Sequence, residues 1–368
     1  MAASDLGSNE TTSSFSGFLK RFRGGSADAE EEEGEASDDE EEEVGEQKAN
    51  VAPPNADALF VELKRAVEAP EAPEAAAGAA AGPAEAGGGG SGGGGDGAGV
   101  DAAPPPLSDF WLWCALRARK FDVARAAKVA RKLRAWRHEM QVGGMSPATH
   151  PELEAQLLTG KLRLTGGRDK GGRAILVLNL RHHNPATDSA RDMLRLVFYV
   201  IEQAHRQGGE ATQCRGFCFI NDLAGAGWSN MDPRVPRTLM PALQSTIPGR
   251  VGKVCILNPP FFFRMVFAVA SRFMKKKIRA RLSVLGADAE ARAALLLHVD
   301  ADQLLPEHGG TLVHDHAAWV ARCKEEDRSR LGLLEEEERI DAPAPPAAAA
   351  AGAGGASAAS SSARAAAE

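Results

Sequence analysis

Pro248-Gly249-Arg250-Val251-Gly252-Lys253-Val254-Cys255-Ile256-Leu257-Asn258-Pro259-Pro260-Phe261 decides the fold. Its centre, Val251–Leu257, is a short apolar run too brief for a helix and bounded by Pro and Gly on one side and Asn-Pro-Pro on the other. The spacing predicts a strand there. Near-continuous apolar character means a strand buried on both faces, and that means parallel neighbours with helical crossovers.

Reading outward gives the same rhythm. Before it come strand 216–221, a loop through Gly225–Trp228 and helix 232–246. Further upstream, helix 188–207 is apolar nearly all round, with Leu194, Val197, Phe198, Val200 and Ile201. Leu162–Thr165 and Ala174–Leu180 read as strands about the turn from Gly166 to Gly172. Downstream, a Phe-rich helix covers 261–274, a short strand 281–285, and helices 288–298 and 314–338. Strand–helix–strand–helix–strand implies right-handed crossovers. The first hairpin adds an antiparallel piece, so an α/β fold with a mixed, mostly parallel sheet and flanking helices is expected.

Ahead of the sheet, residues 108–119 and 122–140 read as two helices meeting at Phe121-Asp122. Val129, Leu133 and Trp136 form the apolar stripe of the second, and Arg125, Lys128 and Lys132 its polar face. Gly143-Gly144 and Pro147 close this subdomain. The expected organisation is a disordered tail over 1–106, an N-terminal helical subdomain over 107–145, the sheet domain over 146–340 and a second disordered tail over 341–368. Within the first tail, Asn55 is placed to cap a helix striped by Leu59, Leu63 and Val67, a piece suited to dock on the core. Phe15, Phe18, Leu19 and Phe22 beside Lys20, Arg21 and Arg23 form either a short amphipathic peptide or a solvated segment.

Charge is divided unevenly. The chain of 368 residues has a formal net charge of −7. Residues 1–106 carry 23 Asp/Glu and 6 Lys/Arg, whereas residues 107–327 carry 33 Lys/Arg and 21 Asp/Glu. The low-complexity runs Glu30–Glu33 and Asp38–Glu43, and the Ala/Gly/Pro stretch 70–106, cannot bury enough apolar surface to fold. The 32 residues from Glu74 to Pro105 read as a flexible tether able to carry the acidic block to a basic face. Ser37 beside Asp38-Asp39-Glu40 is an acidic-context phosphorylation candidate.

Several functions are disfavoured. No run of about 18 apolar residues exists, so no membrane span is expected. The acidic N-terminus does not read as a secretory signal. Cys214 and Cys218, read as sharing one strand, would stand too far apart to bridge, and reduced, buried thiols in a cytosolic protein are expected. The glycine run near Ser91 has neither a preceding strand nor the Gly-Lys-Ser/Thr of a phosphate loop. His182-His183 and His314-Asp315-His316 sit on loops or helix starts, which favours a structural role over a metal or acid–base site. No hydrolase or kinase motif set is present, and no nucleic-acid motif accompanies the basic middle. The expected protein is therefore neither an enzyme nor a nucleic-acid binder, with no metal and no cofactor beyond a bound ligand.

Four motifs in order carry a resemblance. They are Leu116-Arg117-Ala118-Arg119-Lys120-Phe121-Asp122 followed by Trp136-Arg137, Asp222-Leu223-Ala224-Gly225, the Pro248–Phe261 stretch, and Leu305-Pro306-Glu307-His308-Gly309-Gly310. Together, over residues 107–320, they resemble the CRAL-TRIO lipid-binding family of phosphatidylinositol/phosphatidylcholine transfer proteins and retinaldehyde and tocopherol carriers. The chain departs from the family pattern at Gly249 (usually Glu), at Pro259 (usually Ala), at the strand entry Gly172-Arg173-Ala174 (no Pro) and at His308 (usually aromatic).

The resemblance implies an apolar lipid cavity floored by the sheet, with either Phe217 and Phe219 or Cys218 and Ile220 looking in. It implies that Phe261, Phe262, Phe263, Met265, Val266 and Phe267 form a gate over that cavity; the alternative is a fully buried helix. Arg272, Lys275, Lys276, Lys277, Arg279 and Arg281 put six cations into ten residues just after it. Helix termini need fewer, so an anionic membrane surface is the expected partner of Arg272, Lys275, Lys276, Lys277 and Arg279. Members that bind phosphatidylinositol place an Arg, a Glu, a Thr and a Lys on the headgroup. The matching positions are Arg117 or Arg119, Thr238, Ile278 and Arg281, so the cations are kept while the Glu and Thr are replaced. The expected function is to bind one phospholipid or other hydrophobic ligand, phosphatidylinositol among the candidates, and to transfer or present it between membranes. The alternative is a lipid-sensing scaffold that recruits partners through its acidic tail. A monomeric, cytoplasmic, peripherally membrane-associated protein is expected.

Overall fold

The computed structural model describes residues 50–69, 103–286 and 289–333. The Phe15–Phe22 segment, the acidic runs, Ser37, the glycine-rich tether and the Ala/Ser-rich end lie outside the described residues. The described residues up to Asp327 belong to one compact unit, and those from Arg328 belong to a second.

The first unit is organised on five strands: β1 (Leu162–Arg168), β2 (Ala174–Asn179), β3 (Phe217–Asp222), β4 (Val251–Leu257) and β5 (Leu282–Val284). They lie in sequence order across the sheet. β1 and β2 pair antiparallel, and β2, β3, β4 and β5 pair parallel. The sheet is thus mixed and mostly parallel, as the apolar runs predict. β4 has the bounds read from the sequence. β1 runs further than expected, through Gly166 and Gly167 to Arg168. The turn narrows to Asp169–Gly172, where Asp169 accepts from the Arg173 backbone N–H at 2.8 Å and from its guanidinium at 3.0 Å.

Sequential order has a consequence. A right-handed crossover from each strand to its neighbour on the same side places every crossover on one face of the sheet. Those crossovers are α5 (Ala190–Arg215), α6 (Arg234–Pro241), and the pair α7 (Phe263–Ala270) and α8 (Lys276–Ala280). Leu176, Phe217 and half-buried Phe219 lie on this face and pack in one core with Leu196, Val200 and Ile201 of α5 and Leu239 of α6. The opposite face carries Ile175, Val177, Cys218, Ile220 and Cys255. It packs on α9 (Ala289–Leu296) through Leu295, and on Val299, Leu304 and Leu305.

Helix α5 starts with Ser189, whose hydroxyl accepts from the Asp192 N–H at 3.1 Å while Asp192 reaches back to the Ser189 N–H. It runs on past residue 207 to Arg215, broken at Gly209, where φ is 52° and ψ −148°. Only glycine adopts such a conformation readily, which is why the Gly-Gly pair reads as a helix end. Cys214 therefore sits on the helix and Cys218 on β3, not on one strand. All five cysteines are buried free thiols. Helix 232–246 is shorter than expected: α6 ends at Pro241, and a π-type turn, Ala242–Thr246, follows.

The N-terminal helices are α2 (Asp109–Ala118) and α3 (Val123–Glu139). Asp122 caps α3 by accepting from the Arg125 N–H at 2.9 Å. Against them lies α1 (Ala56–Glu68), the helix expected from the Leu59/Leu63 stripe. Leu63 and Phe60 are buried with Leu116 and Ala126 of α2 and α3, and Phe60 stacks on Trp113 at 4.2 Å. Asn55 precedes the helix, but its side chain makes no capping hydrogen bond. Two further helices complete the unit. α4 (Pro151–Leu158), absent from the sequence reading, opens on a proline at its first position, where proline's missing N–H costs nothing. α10 (His316–Arg330) buries Trp319, Val320 and Cys323 in the α5 core. Among the described residues, no helix is long and apolar enough to cross a membrane.

Candidate functional site

The helix-covered face of the sheet holds the apolar site. One row of side chains crosses it: Leu176 on β2, Phe219 on β3, Val254 on β4 and Leu282 on β5, in register neighbour to neighbour. Leu176 is fully buried, while Phe219, Val254 and Leu282 are half-buried. The cover over the sheet runs out toward β5. A pocket lined by Ile201, Phe217, Phe219, Leu243, Ile247, Gly249 and Val251 lies here, with room for about one water-sized sphere (≈ 10 Å³). Phe217 and Phe219, not Cys218 and Ile220, are the pair that looks in. A Cβ on Gly249 would stand 2.8 Å from the Phe217 ring, so a bulky Phe fits here against a bare backbone.

Helix α7 follows β4 in the crossover to β5. It is shorter than the expected 261–274, and the chain leaves it through a 3₁₀ turn, Ser271–Phe273. No side chain of α7 is buried, which overturns the fully buried alternative. Phe263, Val266 and Phe267 are half-buried and Met265 is exposed, as is Phe261 just ahead of it, at 88%. Phe263 and Phe267 stack on each other at 5.5 Å. The fixed point is Phe262, 6% exposed and stacked on Trp228. At the far end, Gln244 donates to the Phe273 carbonyl at 2.8 Å and accepts from the Lys275 N–H at 2.7 Å.

The segment before α7 is held by a buried polar group. Asn258 has φ 52°, a left-handed conformation that Asn tolerates better than most residues. Its amide donates to Asp222 at 2.7 Å, and the Ala224 N–H donates to the same carboxylate oxygen at 2.9 Å. His308 lies 3.3 Å from the other oxygen. Burial alone raises the Asp222 pKa. The hydrogen bonds from His308, Ala224 and Asn258 outweigh it and hold the carboxyl at about 2. Residues from three of the quoted motifs thus meet at one carboxylate. The motifs signalled Asp222, Asn258 and His308 singly; their convergence, and the roles of Trp228 and Gln244, carry no sequence signal.

The cations after α7 are spread over a turn and a short helix, not gathered on one helix end. Arg272 is in the 3₁₀ turn, Lys275 precedes α8, and Lys276, Lys277 and Arg279 lie on it. Arg272, Lys275, Lys276 and Arg279 are exposed and Lys277 is half-buried. The four matched headgroup positions lie on separate elements. Arg117 on α2 lies over the Trp113 ring at 4.6 Å and donates to Glu210 at 3.2 Å and to Gln213. Arg119 is the half-buried residue that ends α2. Arg281 donates to the Val251 carbonyl at 2.7 Å, beside half-buried Ile278. Thr238, exposed on α6, spends its hydroxyl on the Arg234 carbonyl at 2.9 Å.

The histidines serve structure. His183 is buried between Asp188 and Asp232, at 3.3 and 3.9 Å. Asp188 also accepts from Lys161, which is 1% exposed. Burial pushes the Asp188 carboxyl up, but hydrogen bonds from Lys161 and Gln156 and the Asn184 N–H outweigh it and hold it far below the carboxylate range. His316 makes a 2.8 Å contact with the Leu157 carbonyl, and burial and then His316 push the His314 pKa down to about 4. Among the described residues, no group of three or more metal-ligating side chains is assembled.

Residues 158–310 match the family model of the CRAL/TRIO domain. This part of the chain is a CRAL/TRIO domain. The family is lipid-binding, in keeping with the apolar face just described, and the match spans all five strands and helix α7. The tyrosine-protein phosphatase non-receptor type 9 of Mus musculus is 28% identical over 204 residues, which cover 55% of this chain and 33% of that one. The alpha-tocopherol transfer protein-like protein of Mus musculus is 29% identical over 231 residues, covering 60% of this chain and 64% of that one. The chain thus spans a third of the phosphatase and under two thirds of the transfer protein-like relative. The crystal structure of Sfh5 aligns with 63% of this chain and 82% of that one, with a TM-score of 0.42 and 14% identity.

Proposed function

We propose that the CRAL/TRIO domain takes up one phospholipid or similarly apolar ligand between the sheet and helix α7, and transfers it at an anionic membrane surface. The observation that carries this reading is the mismatch between sheet and gate. Phe219, Val254 and Leu282 stay half-buried on the sheet, and the helix in the crossover from β4 to β5 buries none of its own apolar side chains. The pocket on this face holds about one water, so a lipid enters only as the cover over the sheet opens. The exposed remainder of these apolar side chains is the kind of patch that marks a lipid or protein contact.

Energetics explain why no bond chemistry is needed. Bringing an acyl chain into water costs about 0.8 kcal/mol per CH₂, roughly 10 kcal/mol or more for one chain. An apolar site that replaces the bilayer cancels most of that cost. The gate pivots at Asn258-Pro259-Pro260, anchored by Asp222, and at Lys275, anchored by Gln244. Arg272, Lys275, Lys276, Lys277 and Arg279 follow the gate directly, so membrane attraction and gate opening are coupled in space. Arg117, Arg119 and Arg281 supply charge-assisted donors for a phosphate, while Thr238 and Ile278 leave the rest of the headgroup loosely specified. The protein acts as a peripheral membrane carrier.

Mass spectrometry of the purified chain for co-purifying lipid, joined to a transfer assay between donor and acceptor vesicles, tests the proposal. A bound lipid that exchanges supports it. An empty protein that moves no lipid sinks it, and a lipid that binds but never exchanges favours the sensor reading.

A further inference from the structure

Asn50 is the first described residue, and it is pinned. Its N–H donates to the Cys214 carbonyl at 3.4 Å, and its side-chain amide donates to the Arg117 carbonyl at 2.6 Å. Both partners lie at the end of the sheet where β3 and β4 begin. Helix α1, six residues on, is packed into α2 and α3 and holds this anchor in place.

That end of the sheet gathers cations. Arg250 donates to the Cys214 carbonyl at 2.9 Å, and Arg281 to the Val251 carbonyl. Arg215 donates to the Gly171 carbonyl at 3.2 Å, and Arg168 to the Gly172 carbonyl at 3.0 Å and the Thr212 hydroxyl at 3.2 Å. Arg173 pairs with Asp169 and Lys170 with Asp300, while Arg117 shares Glu210. Among the described residues, Arg168, Lys170, Arg173, Arg215 and Arg117 stand here with Asp169, Asp300 and Glu210. A backbone carbonyl orients a guanidinium but does not neutralise it, so the field here is positive.

The chain leading to Asn50 is the complement. Asp28, Glu30–Glu33, Glu35, Asp38–Glu43 and Glu46 are thirteen acids, with no Lys or Arg among residues 28–46. Glu46 is four residues from the anchor, within about 14 Å even if fully extended. We propose that the acidic block Asp28–Glu46 docks on the basic end of the sheet around Arg168, Lys170 and Arg215, delivered there by the Asn50 anchor. The block precedes α1, so its position is set by this short connection and not by the glycine-rich tether, which follows α1. Arg117 and Arg281 belong to the same end. The docked block is therefore a built-in competitor for any phosphate those residues take up.

Zero-length carbodiimide cross-linking of the full chain, read by mass spectrometry without lipid, tests this directly. Acids of the 28–46 block are expected to join Lys170. The yield should fall about threefold or more when Arg168 and Arg215 are both changed to Gln, as for loss of surface ion pairs. Should that variant fail to fold, Asn50→Ala in the otherwise intact chain is expected to lower the same cross-links. Raising ionic strength from about 0.05 M to about 0.5 M, which shortens the screening length from roughly 14 Å to roughly 4 Å, should abolish them. Cross-links that run instead to Lys275 and Lys276, or yields that salt and Asn50→Ala leave unchanged, overturn the proposal. Neither result bears on whether the gate binds lipid.

Discussion

The indole of Trp228 stacks on the ring of Phe262 with centroids 4.2 Å apart and planes 24° from parallel. Trp228 belongs to the loop after β3, and Phe262 is the residue just before α7. The stack therefore fastens the start of α7 to the loop after β3. Trp228→Ala removes about 1 kcal/mol of aromatic pairing beyond the area it uncovers. Faster amide exchange across residues 258–267 and faster lipid release are expected, with the exchange of β2 and β3 unchanged. Equal acceleration over the whole sheet would show that the stack is global scaffolding.

Gln244 holds the other end. Its amide bridges the Phe273 carbonyl and the Lys275 N–H and also donates to the Met240 carbonyl, so Gln244→Ala deletes three hydrogen bonds worth about 1 kcal/mol each. The Lys275 amide should lose protection and vesicle-to-vesicle transfer should speed up, whereas the melting temperature moves only slightly. Transfer at the wild-type rate, with Lys275 deprotected, would separate this latch from the rate-limiting step.

Changing Lys275, Lys276, Lys277 and Arg279 together to Gln removes about 1 kcal/mol of membrane attraction per residue. Co-sedimentation with phosphatidylserine vesicles should weaken by roughly a hundredfold to a thousandfold. Binding to neutral vesicles should hardly change. The wild type at high salt should approach the variant at low salt; an unchanged affinity for the anionic vesicles removes these residues from the docking surface.

Asp222 gives a pH dependence of known sign. Its carboxyl is held at about 2, below the usual 3.8, so the unfolded chain binds the proton more readily. The stabilisation is complete above about pH 4 and is lost as pH falls toward 2, amounting to about 2 kcal/mol. Urea titrations should show Asp222→Asn destabilised near neutrality and less sensitive than the wild type to acid in that window. Parallel pH curves for the two proteins would contradict the assignment.

Gly249 and Phe217 should be coupled. The Cβ of Gly249→Ala meets the Phe217 ring at 2.8 Å, an overpacking worth about 1–3 kcal/mol. Phe217→Leu in the same chain should restore part of that loss, measured by a double-mutant cycle on unfolding free energy. Additive losses would mean that the ring does not bear the strain.

Much of this was legible in the sequence because it is local. The apolar run Val251–Leu257, closed by Pro248 on one side and Asn258-Pro259 on the other, reads as a strand at any position in any fold. The Leu59/Leu63 stripe reads as a helix for the same reason. The Gly208-Gly209 pair misled for an equally local reason: it breaks α5, yet the helix resumes to Arg215 because Thr212, Gln213 and Cys214 are buried against the rest of the fold. Helix α4 went unread since Pro147 and Pro151 look like interruptions, although the second proline begins the helix.

The sequence by itself determined that β2, β3 and β4 are parallel and buried, that a Phe-rich helix precedes a cationic run, and that acid and base are segregated along the chain. It left Phe217 and Phe219 indistinguishable from Cys218 and Ile220 as the lining pair, because alternation assigns two faces without saying what covers each. Tertiary structure decided that through strand order. With β2 to β5 in sequence order, right-handed crossovers all fall on the Phe217/Phe219 face. It also decided that Asp222, Asn258 and His308 share one carboxylate and that Asn50 meets Cys214. Both depend on through-space contacts between segments 36 to 164 residues apart, which no local pattern encodes.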